Sequence, residues 1–240
     1  DWDPDHLYLK AAVKQLQVSG WNKLPALSGI NADIEVSGHQ GRMLISNSET
    51  VYADFHGEFV HPVEIDDLSA RMEWQLYKGG WRLVVKDMHA VNDDLSTSGR
   101  MELRSDQAMS SPYLDMQVDF KDGDVASAYR YLPHSKLGPK LIGWLEHALA
   151  RGRIGSGGRL FSGEVGNFRF DHNDGVYEVR FNVEDMLFSY MKGWPDAENM
   201  LADVLFSGRS LSVEIAEAKI FELNVLPTLV EIKNLSKQAV

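Results

Sequence analysis

The chain contains no cysteine, has fewer basic than acidic residues, and lacks any long hydrophobic run. Without cysteine it can form no disulfide or zinc–thiolate site and has no thiol nucleophile. Its 24 Lys and Arg residues against 35 Asp and Glu residues give a formal net charge of −11. That charge argues against wrapping of nucleic acid and against docking on anionic headgroups through a basic face. No apolar run reaches the ~18 residues of a membrane span.

Motifs for catalysis and metal binding are missing as well. The eight histidines show no metal-ligand spacing. Asp171-x-Asn173-Asp174-Gly175 resembles a calcium loop, but its glycine falls one place early and the acidic residue at the twelfth position is missing, which favours a hairpin turn. Residues 152–158 are rich in glycine but lack the Lys-Ser/Thr of a phosphate loop. We therefore expect no enzyme activity, no metal and no cofactor.

The chain instead contains a repeated alternation of apolar and polar residues. In 30–36 every second residue is apolar, and the same alternation returns 38 and 170 positions later. Period two is typical of a strand with one face shielded from water, and each copy runs through a turn into a second alternating segment, which predicts repeated hairpins. The residues predicted to line the shielded face are Ile30, Ala32, Ile34, Val36, Leu68, Ala70, Met72, Trp74, Leu114, Met116, Val118, Phe120, Val179, Phe181, Met200, Ala202, Val204 and Phe206.

Three segments have the spacing of amphipathic helices. The first begins at Asp3-Pro4, carries an apolar stripe through Leu16 and ends at Gly20; the second runs from about Asp122 to Tyr131. The third opens at Pro139, ends at 151–152, and has the strongest pattern. It is interpreted as a cap on the sheet or, more specifically, as a plug formed by Leu141, Trp144, Leu145 and Leu149.

These helices divide the chain into four parts. Residues 1–20 are predicted to be an N-terminal helix or connection, 21–122 a first β-groove repeat, 123–152 a helical insertion, and 153–240 a second β-groove repeat that is continuous with the first and truncated at its C-terminus. The chain starts without methionine or a signal peptide, so we expect it to be part of a longer protein.

The fold class predicted from these patterns is mostly β, built from antiparallel hairpins with a few short amphipathic helices. Alternation alone occurs more often in the closed core of a sandwich or barrel than in an open groove. A structural or protein-binding β-domain of the cell envelope therefore stays open as an alternative. An enzyme or carbohydrate-binding module acting on cell-wall glycan is a third alternative, for which exposed Trp and Tyr residues are the only hint.

A series of short motifs resembles a known family. In chain order they are Leu24-Pro25-x-Leu27-Ser28-Gly29, Gly80-Trp81-Arg82-Leu83, Tyr131-Leu132-Pro133, Trp144-Leu145-x-x-Ala148-Leu149-x-x-Gly152, Phe168-x-Phe170, Gly193-Trp194-Pro195 and Phe206-x-Gly208. Their order resembles the periplasmic region of YhdP-type AsmA-like proteins over roughly residues 20–222.

The resemblance implies a long, curved, open β-groove, taco-like in section, similar to the bridge-like lipid transfer proteins of eukaryotes. It implies that the chain is a fragment of a periplasmic protein that moves phospholipid between the inner and outer membranes. Phospholipid would be its partner, and the membrane anchor of the intact protein would lie outside this fragment.

The same function is compatible with the residues themselves. Burying a methylene group gains about 0.8 kcal/mol, so exposing a sixteen-carbon tail to water costs on the order of 12 kcal/mol. Crossing an aqueous gap therefore needs a continuous apolar lining, which one face of an alternating sheet can supply. Flexible side chains such as Met72, Met116 and Met200 suit a fluid ligand.

Overall fold

The computed structural model describes residues 7–20, 25–132, 134 and 137–235, and in this part of the chain one antiparallel sheet of 15 strands dominates. The predicted helix start at Asp3-Pro4 lies outside the described residues. The strands are β1 (Tyr8–Val18), β2 (Ala26–Ser37), β3 (Gln40–Asn47), β4 (Val51–Asp54), β5 (Val63–Ile65), β6 (Asp67–Tyr77), β7 (Gly80–Val91), β8 (Ser96–Asp106), β9 (Tyr113–Asp124), β10 (Leu149–Glu164), β11 (Gly175–Phe188), β12 (Ala197–Ser207), β13 (Ser210–Ile220), β14 (Leu223–Val225) and β15 (Thr228–Ile232).

Strand order in the sheet follows chain order almost throughout. From β6 to β14 each strand pairs with its sequence neighbours, and β3 joins this series to β2. β1 pairs with β2, and β13 pairs with both β14 and β15. Within the described residues no strand from one end of the sheet pairs with a strand from the other, so the sheet is open. The predicted mostly-β, antiparallel, open architecture is confirmed.

The two ends of the strands differ in their connections. At one, which we call the hairpin end, tight turns join β2 to β3, β6 to β7 and β12 to β13. These turns contain Gly38, Gly79 and Gly208, whose φ values of 57°, 86° and 54° are left-handed. At the opposite end, the connection end, lie β4, β5, a short 3-10 helix (Ala128–Tyr131) and the helix α1 (Pro139–Ala148).

A recurrent β-bulge interrupts the alternation near the connection end. At each bulge two polar residues separate two apolar ones, and the second polar residue has a left-handed φ of 49–53°. Register shifts occur at the same places, and a bulge of this kind bends the strand and increases its twist. The four bulged segments are Val13–Leu16, Val85–Met88, Val183–Met186 and Ala197–Met200.

The prediction of a helix over the N-terminal segment was wrong, because Tyr8–Val18 forms β1. Its apolar residues do lie on one face: Val13 pairs with Ala32 and Leu16 with Ile30. The bulge between them changes their spacing from two to three. A strand containing a bulge therefore imitates the spacing of a helical stripe.

The other two helix predictions were correct in position and too long. The 3-10 helix starts only at Ala128; before it, the Asp124 carboxylate accepts hydrogen bonds from the Ala126 N–H and the Ser127 hydroxyl. α1 ends at Ala148, and Leu149 begins β10, where it pairs with Phe188. Leu149 was therefore wrongly assigned to the helix, because pairing with β11 replaces the last predicted turn.

β9 and β10 pair directly, so the segments predicted as two repeats share one continuous sheet. Buried side chains form two clusters, both toward the connection end. The first lies across β2 to β7 and contains Ile30, Ala32, Ile45, Val51, Leu68, Ala70 and Val85. The second lies across β11 to β13 with the residue after β9, and contains Val125, Val183, Met186, Met200, Ala202 and Ala218.

Candidate functional site

All of the predicted lining residues, from Ile30 in β2 to Phe206 in β12, lie on one face of the sheet. The strand registers establish this, because residues directly opposite each other in a ladder share a face. We call this side the apolar face and the other the polar face. The pairing also adds residues from β3, β7, β8 and β13 that the sequence prediction left out.

Two rows of paired residues show the continuity of the apolar face. The first crosses from β2 to β10 and is rich in methionine: Ile34, Met43, Met72, Val85, Met101, Met116 and Phe161. The second crosses from β6 to β13: Leu68, Ala90, Thr97, Phe120, Gly157, Phe181, Val204 and Val213. The predicted residues therefore belong to a surface that crosses most of the sheet.

Exposure on the apolar face changes along the strands. The predicted residues nearest the connection end are buried, namely Ile30, Ala32, Leu68, Ala70, Met200 and Ala202. Those toward the middle and the hairpin end are only half-buried, namely Ile34, Val36, Met72, Trp74, Leu114, Met116, Val118, Phe120, Val179, Phe181, Val204 and Phe206. The protein's own side chains therefore leave this part of the apolar face partly accessible.

Aromatic rings and glycines fit together on the apolar face. A Cβ atom at Gly157 would lie 2.4 Å from the Phe120 ring and 2.6 Å from Cβ of Phe181, so only glycine leaves room for both side chains. The Phe120 and Phe181 rings are 6.4 Å apart, and Phe181 stacks on Phe206 at 6.5 Å. The result is an aromatic surface that extends over four neighbouring strands, from β9 across Gly157 of β10 to β11 and β12.

A second aromatic group lies near the hairpin end. Phe161 contacts the rings of Phe168, Phe170 and Tyr177 at centroid distances of 6.0, 5.2 and 6.1 Å. Phe170 is buried, whereas Phe168 is exposed. The Phe168-x-Phe170 motif thus anchors the loop between β10 and β11 on the apolar face.

α1 is attached at the connection end by its tryptophan. The Trp144 Nε1–H donates a hydrogen bond of 2.8 Å to the carbonyl oxygen of Tyr190. The Trp144 ring meets Phe188 and Tyr190 edge-on at 6.0 and 6.5 Å. Leu141 and Leu145 are half-buried. This docking defines the position of α1, and its action as a plug stays a prediction.

The polar face is covered by ion pairs between neighbouring strands. Arg42 pairs with Glu35, Lys86 with Glu73 at 2.9 Å, and Arg82 with Glu102 at 2.6 Å. The hydrogen bond from Arg82 holds the pKa of Glu102 below its ordinary value, although burial opposes this shift. These exposed pairs keep the polar face charged, and each contributes little to folding stability.

The polar face also contains a depression that the sequence did not predict. It has a volume of about 1140 Å³ and lies across β7 to β13, where Gln117, Asp119, Arg180, Asn182 and Asp203 contribute to its lining. A twisted sheet is saddle-shaped, so either face can be concave along one direction.

Two classes of feature are missing from the residues that the structure describes. No group of three or more His, Asp or Glu side chains is arranged to hold a metal ion. None of the helices in the described ranges has the length and apolarity needed to cross a bilayer.

Comparison with known proteins identifies the family. The family model described as "YhdP protein" matches residues 1–240. The chain belongs to the YhdP family. A curated relative, the intermembrane phospholipid transporter YhdP of Escherichia coli (strain K12), is 22% identical over 196 residues, which cover 82% of this chain and 15% of the relative. This YhdP-family chain therefore spans about 15% of the relative's length, and no solved structure matches it significantly.

Proposed function

We propose that this chain is a segment of a periplasmic lipid conduit, in which the apolar face shields phospholipid acyl chains during transport between the inner and outer membranes. The observation that carries the proposal is the continuous apolar face whose middle and hairpin-end residues stay half-exposed. A closed core would bury these residues. Membership of the YhdP family supports phospholipid as the transported molecule.

The energetics of the face fit this role. Each acyl methylene group removed from water is worth about 0.8 kcal/mol, and contact with any apolar side chain supplies this gain. A surface that is apolar along rows of paired residues offers similar contacts at successive positions. The lipid can therefore move without losing its shielding. The proposal is non-enzymatic, because no covalent bond changes.

Site-specific photocrosslinking tests the proposal with matched controls. We place a benzophenone amino acid at Met72 or Val204 on the apolar face, and at their sequence neighbours Glu73 or Asp203 on the polar face. The chain is expressed in a bacterial periplasm, irradiated and analysed by mass spectrometry. We expect phospholipid adducts at Met72 and Val204, and few at the neighbouring positions, because adjacent residues of a strand point to opposite faces.

Two results would count against the proposal. Adducts of equal yield on both faces would indicate adventitious lipid. Absence of adducts at both apolar positions, in protein with an unchanged circular dichroism spectrum, would favour a structural or protein-binding domain.

A further inference from the structure

Among the described strand residues, one basic side chain lies within the apolar face. Arg159 in β10 is directly opposite Val118 in β9 and Val179 in β11, so its side chain shares their face. The nearest positions around it on that face are Met116, Phe120, Phe161, Tyr177, Phe181 and Gly157. None of these neighbours is acidic, although the chain as a whole has 35 acidic residues.

Arg159 also lacks the acidic partner that arginines such as Arg153 and Arg82 have. Arg153, six residues earlier in the same strand, pairs with Glu184 at 2.5 Å, and Arg82 in β7 pairs with Glu102 at 2.6 Å. For Arg159 no ion pair is formed with any residue that the structure describes, and the side chain is exposed. Its charge is therefore available to a ligand on the apolar face.

An aromatic ring holds the guanidinium group in place. The Arg159 Cζ atom lies 5.4 Å from the centre of the Tyr177 ring, a cation–π distance. Tyr177 is itself fixed by ring contacts with Phe168 at 5.0 Å and Phe161 at 6.1 Å. Stacking on a ring leaves the edge of the guanidinium, with its N–H donors, free to form hydrogen bonds.

We propose that Arg159 binds the phosphate of a phospholipid whose acyl chains lie on the apolar face. This inference depends on the proposed function and deepens it. A guanidinium group presents two parallel N–H donors that match two phosphate oxygens, and charge-assisted hydrogen bonds of this kind are strong. Next to apolar surface, which excludes water, the attraction is screened less than in bulk solvent.

The surroundings of Arg159 accommodate both parts of such a lipid. The Phe120 and Phe181 rings lie between Arg159 and the buried connection end, and Val204 follows on β12. With the phosphate at Arg159, acyl chains extend over this aromatic surface. Arg159 then acts as a positioning residue that selects lipids with a phosphate group.

The test compares lipid binding by four forms of the full 240-residue chain after delipidation: unchanged, Arg159→Gln, Arg159→Lys and Arg180→Gln. Arg180 is a matched control, since it is exposed on the neighbouring strand β11, and lies on the polar face. Arg159→Gln and Arg180→Gln change the net charge equally. The probes are dioleoylphosphatidylglycerol and dioleoylglycerol, which differ in the phosphate-containing headgroup, and native mass spectrometry measures occupancy.

We expect Arg159→Gln to reduce the affinity for dioleoylphosphatidylglycerol by about tenfold or more, as loss of a charge-assisted hydrogen bond would. Its affinity for dioleoylglycerol should stay unchanged, which also shows that the variant is folded. Arg159→Lys should retain part of the phosphatidylglycerol binding because it keeps the charge. Arg180→Gln should bind both lipids like the unchanged chain.

Three outcomes would overturn the inference. Unchanged phosphatidylglycerol binding by Arg159→Gln would exclude the phosphate contact and leave the proposed function standing. Equal losses in Arg159→Gln and Arg180→Gln would indicate a general effect of charge. Absence of binding of either lipid to the unchanged chain would contradict the proposed function together with the inference.

Discussion

Single residues with left-handed backbone conformation determine where the long strands bend. Gln15, Asp87, Asp185 and Asn199 have φ values between 49° and 53°, and each lies in a bulge. For most L-residues this conformation costs roughly 1–2 kcal/mol, and Asn and Asp tolerate it better than others. These residues therefore place the bulges at specific positions of β1, β7, β11 and β12.

Substitution at Asp185 tests the importance of the bulge conformation. Asp185→Val should lower the free energy of unfolding by about 1–2 kcal/mol, because a β-branched residue is strained at positive φ. Asp185→Gly should change it little, since relief of strain is offset by about 0.5–1 kcal/mol of backbone entropy. Urea unfolding followed by circular dichroism measures both.

Glu178→Val is the control for this experiment, because Glu178 is exposed in the regular part of the same strand. We expect it to change the free energy of unfolding by less than about 0.5 kcal/mol. Equal losses in Asp185→Val and Glu178→Val would show that the bulge conformation has no special cost.

Alternation predicted which residues share a face and missed residues that only the register reveals. Met43 and Met101 lie in the methionine row because they pair with Met72 and Met116, respectively through β3–β6 and β8–β9. Arg159 was missed because a polar residue in an apolar position breaks the pattern. Its location follows from pairing between strands, which depends on contacts distant in sequence.

At the level of elements, regular strands were easier to predict than bulged strands or the ends of helices. Segments with strict alternation, such as 30–36 and 200–206, are strands as expected. β1 was taken for a helix because its bulge alters the spacing. α1 was found from its apolar stripe, but its end depended on pairing of Leu149 with Phe188, which sequence spacing does not contain.

The 3-10 helix before α1 is fixed to the sheet by a tyrosine. The Tyr131 hydroxyl donates to the Asp94 carboxylate at 3.1 Å and accepts from the Asn92 amide at 2.9 Å. Its ring contacts Phe59 at 6.4 Å, and Arg130 pairs with Asp94 at 3.0 Å. This group joins the connection after β9 to the one between β7 and β8.

Burial raises the pKa of Tyr131 from 10.0 to about 12. The free energy of unfolding should therefore depend on pH in the alkaline range. Between these values the unfolded chain loses a proton that the folded protein keeps. The free energy of unfolding therefore falls as pH rises through this range. Below pH 10 the stabilisation contributed by Tyr131 is fully present. Urea unfolding at several values from pH 9 to pH 12 should show a steeper fall for the unchanged chain than for Tyr131→Phe.

All other titratable groups are common to both forms. The difference between the two forms isolates Tyr131. Parallel pH profiles would show that folding does not raise the pKa of the Tyr131 hydroxyl.

At the scale of the whole molecule, the sheet has two edges. β1 forms one, and β14 and β15 form the other. Both edges carry exposed apolar side chains, including Tyr8, Leu9, Leu223, Leu229 and Val230. An edge strand with exposed backbone donors and acceptors is a template for pairing with another chain.

We therefore expect the isolated chain to self-associate through its edges. Replacing Leu9 and Leu229 together with lysine should reduce association, because charge on an edge strand opposes pairing. Sedimentation velocity over a range of concentrations measures the effect. Leu201→Lys is the control, since Leu201 is exposed in β12, away from both edges. Equal reduction by the control would mean that association does not use the edges.

The chain-order arrangement of strands has a consequence for how the molecule folds. Because most strands pair with the strands directly before and after them in the chain, the sheet behaves as a quasi-one-dimensional array of neighbouring strands. Folding can nucleate at any one of several hairpins and spread in both directions. Unfolding should begin by fraying at the outermost strands, so amide hydrogen exchange would be slowest in the central strands β7 to β11.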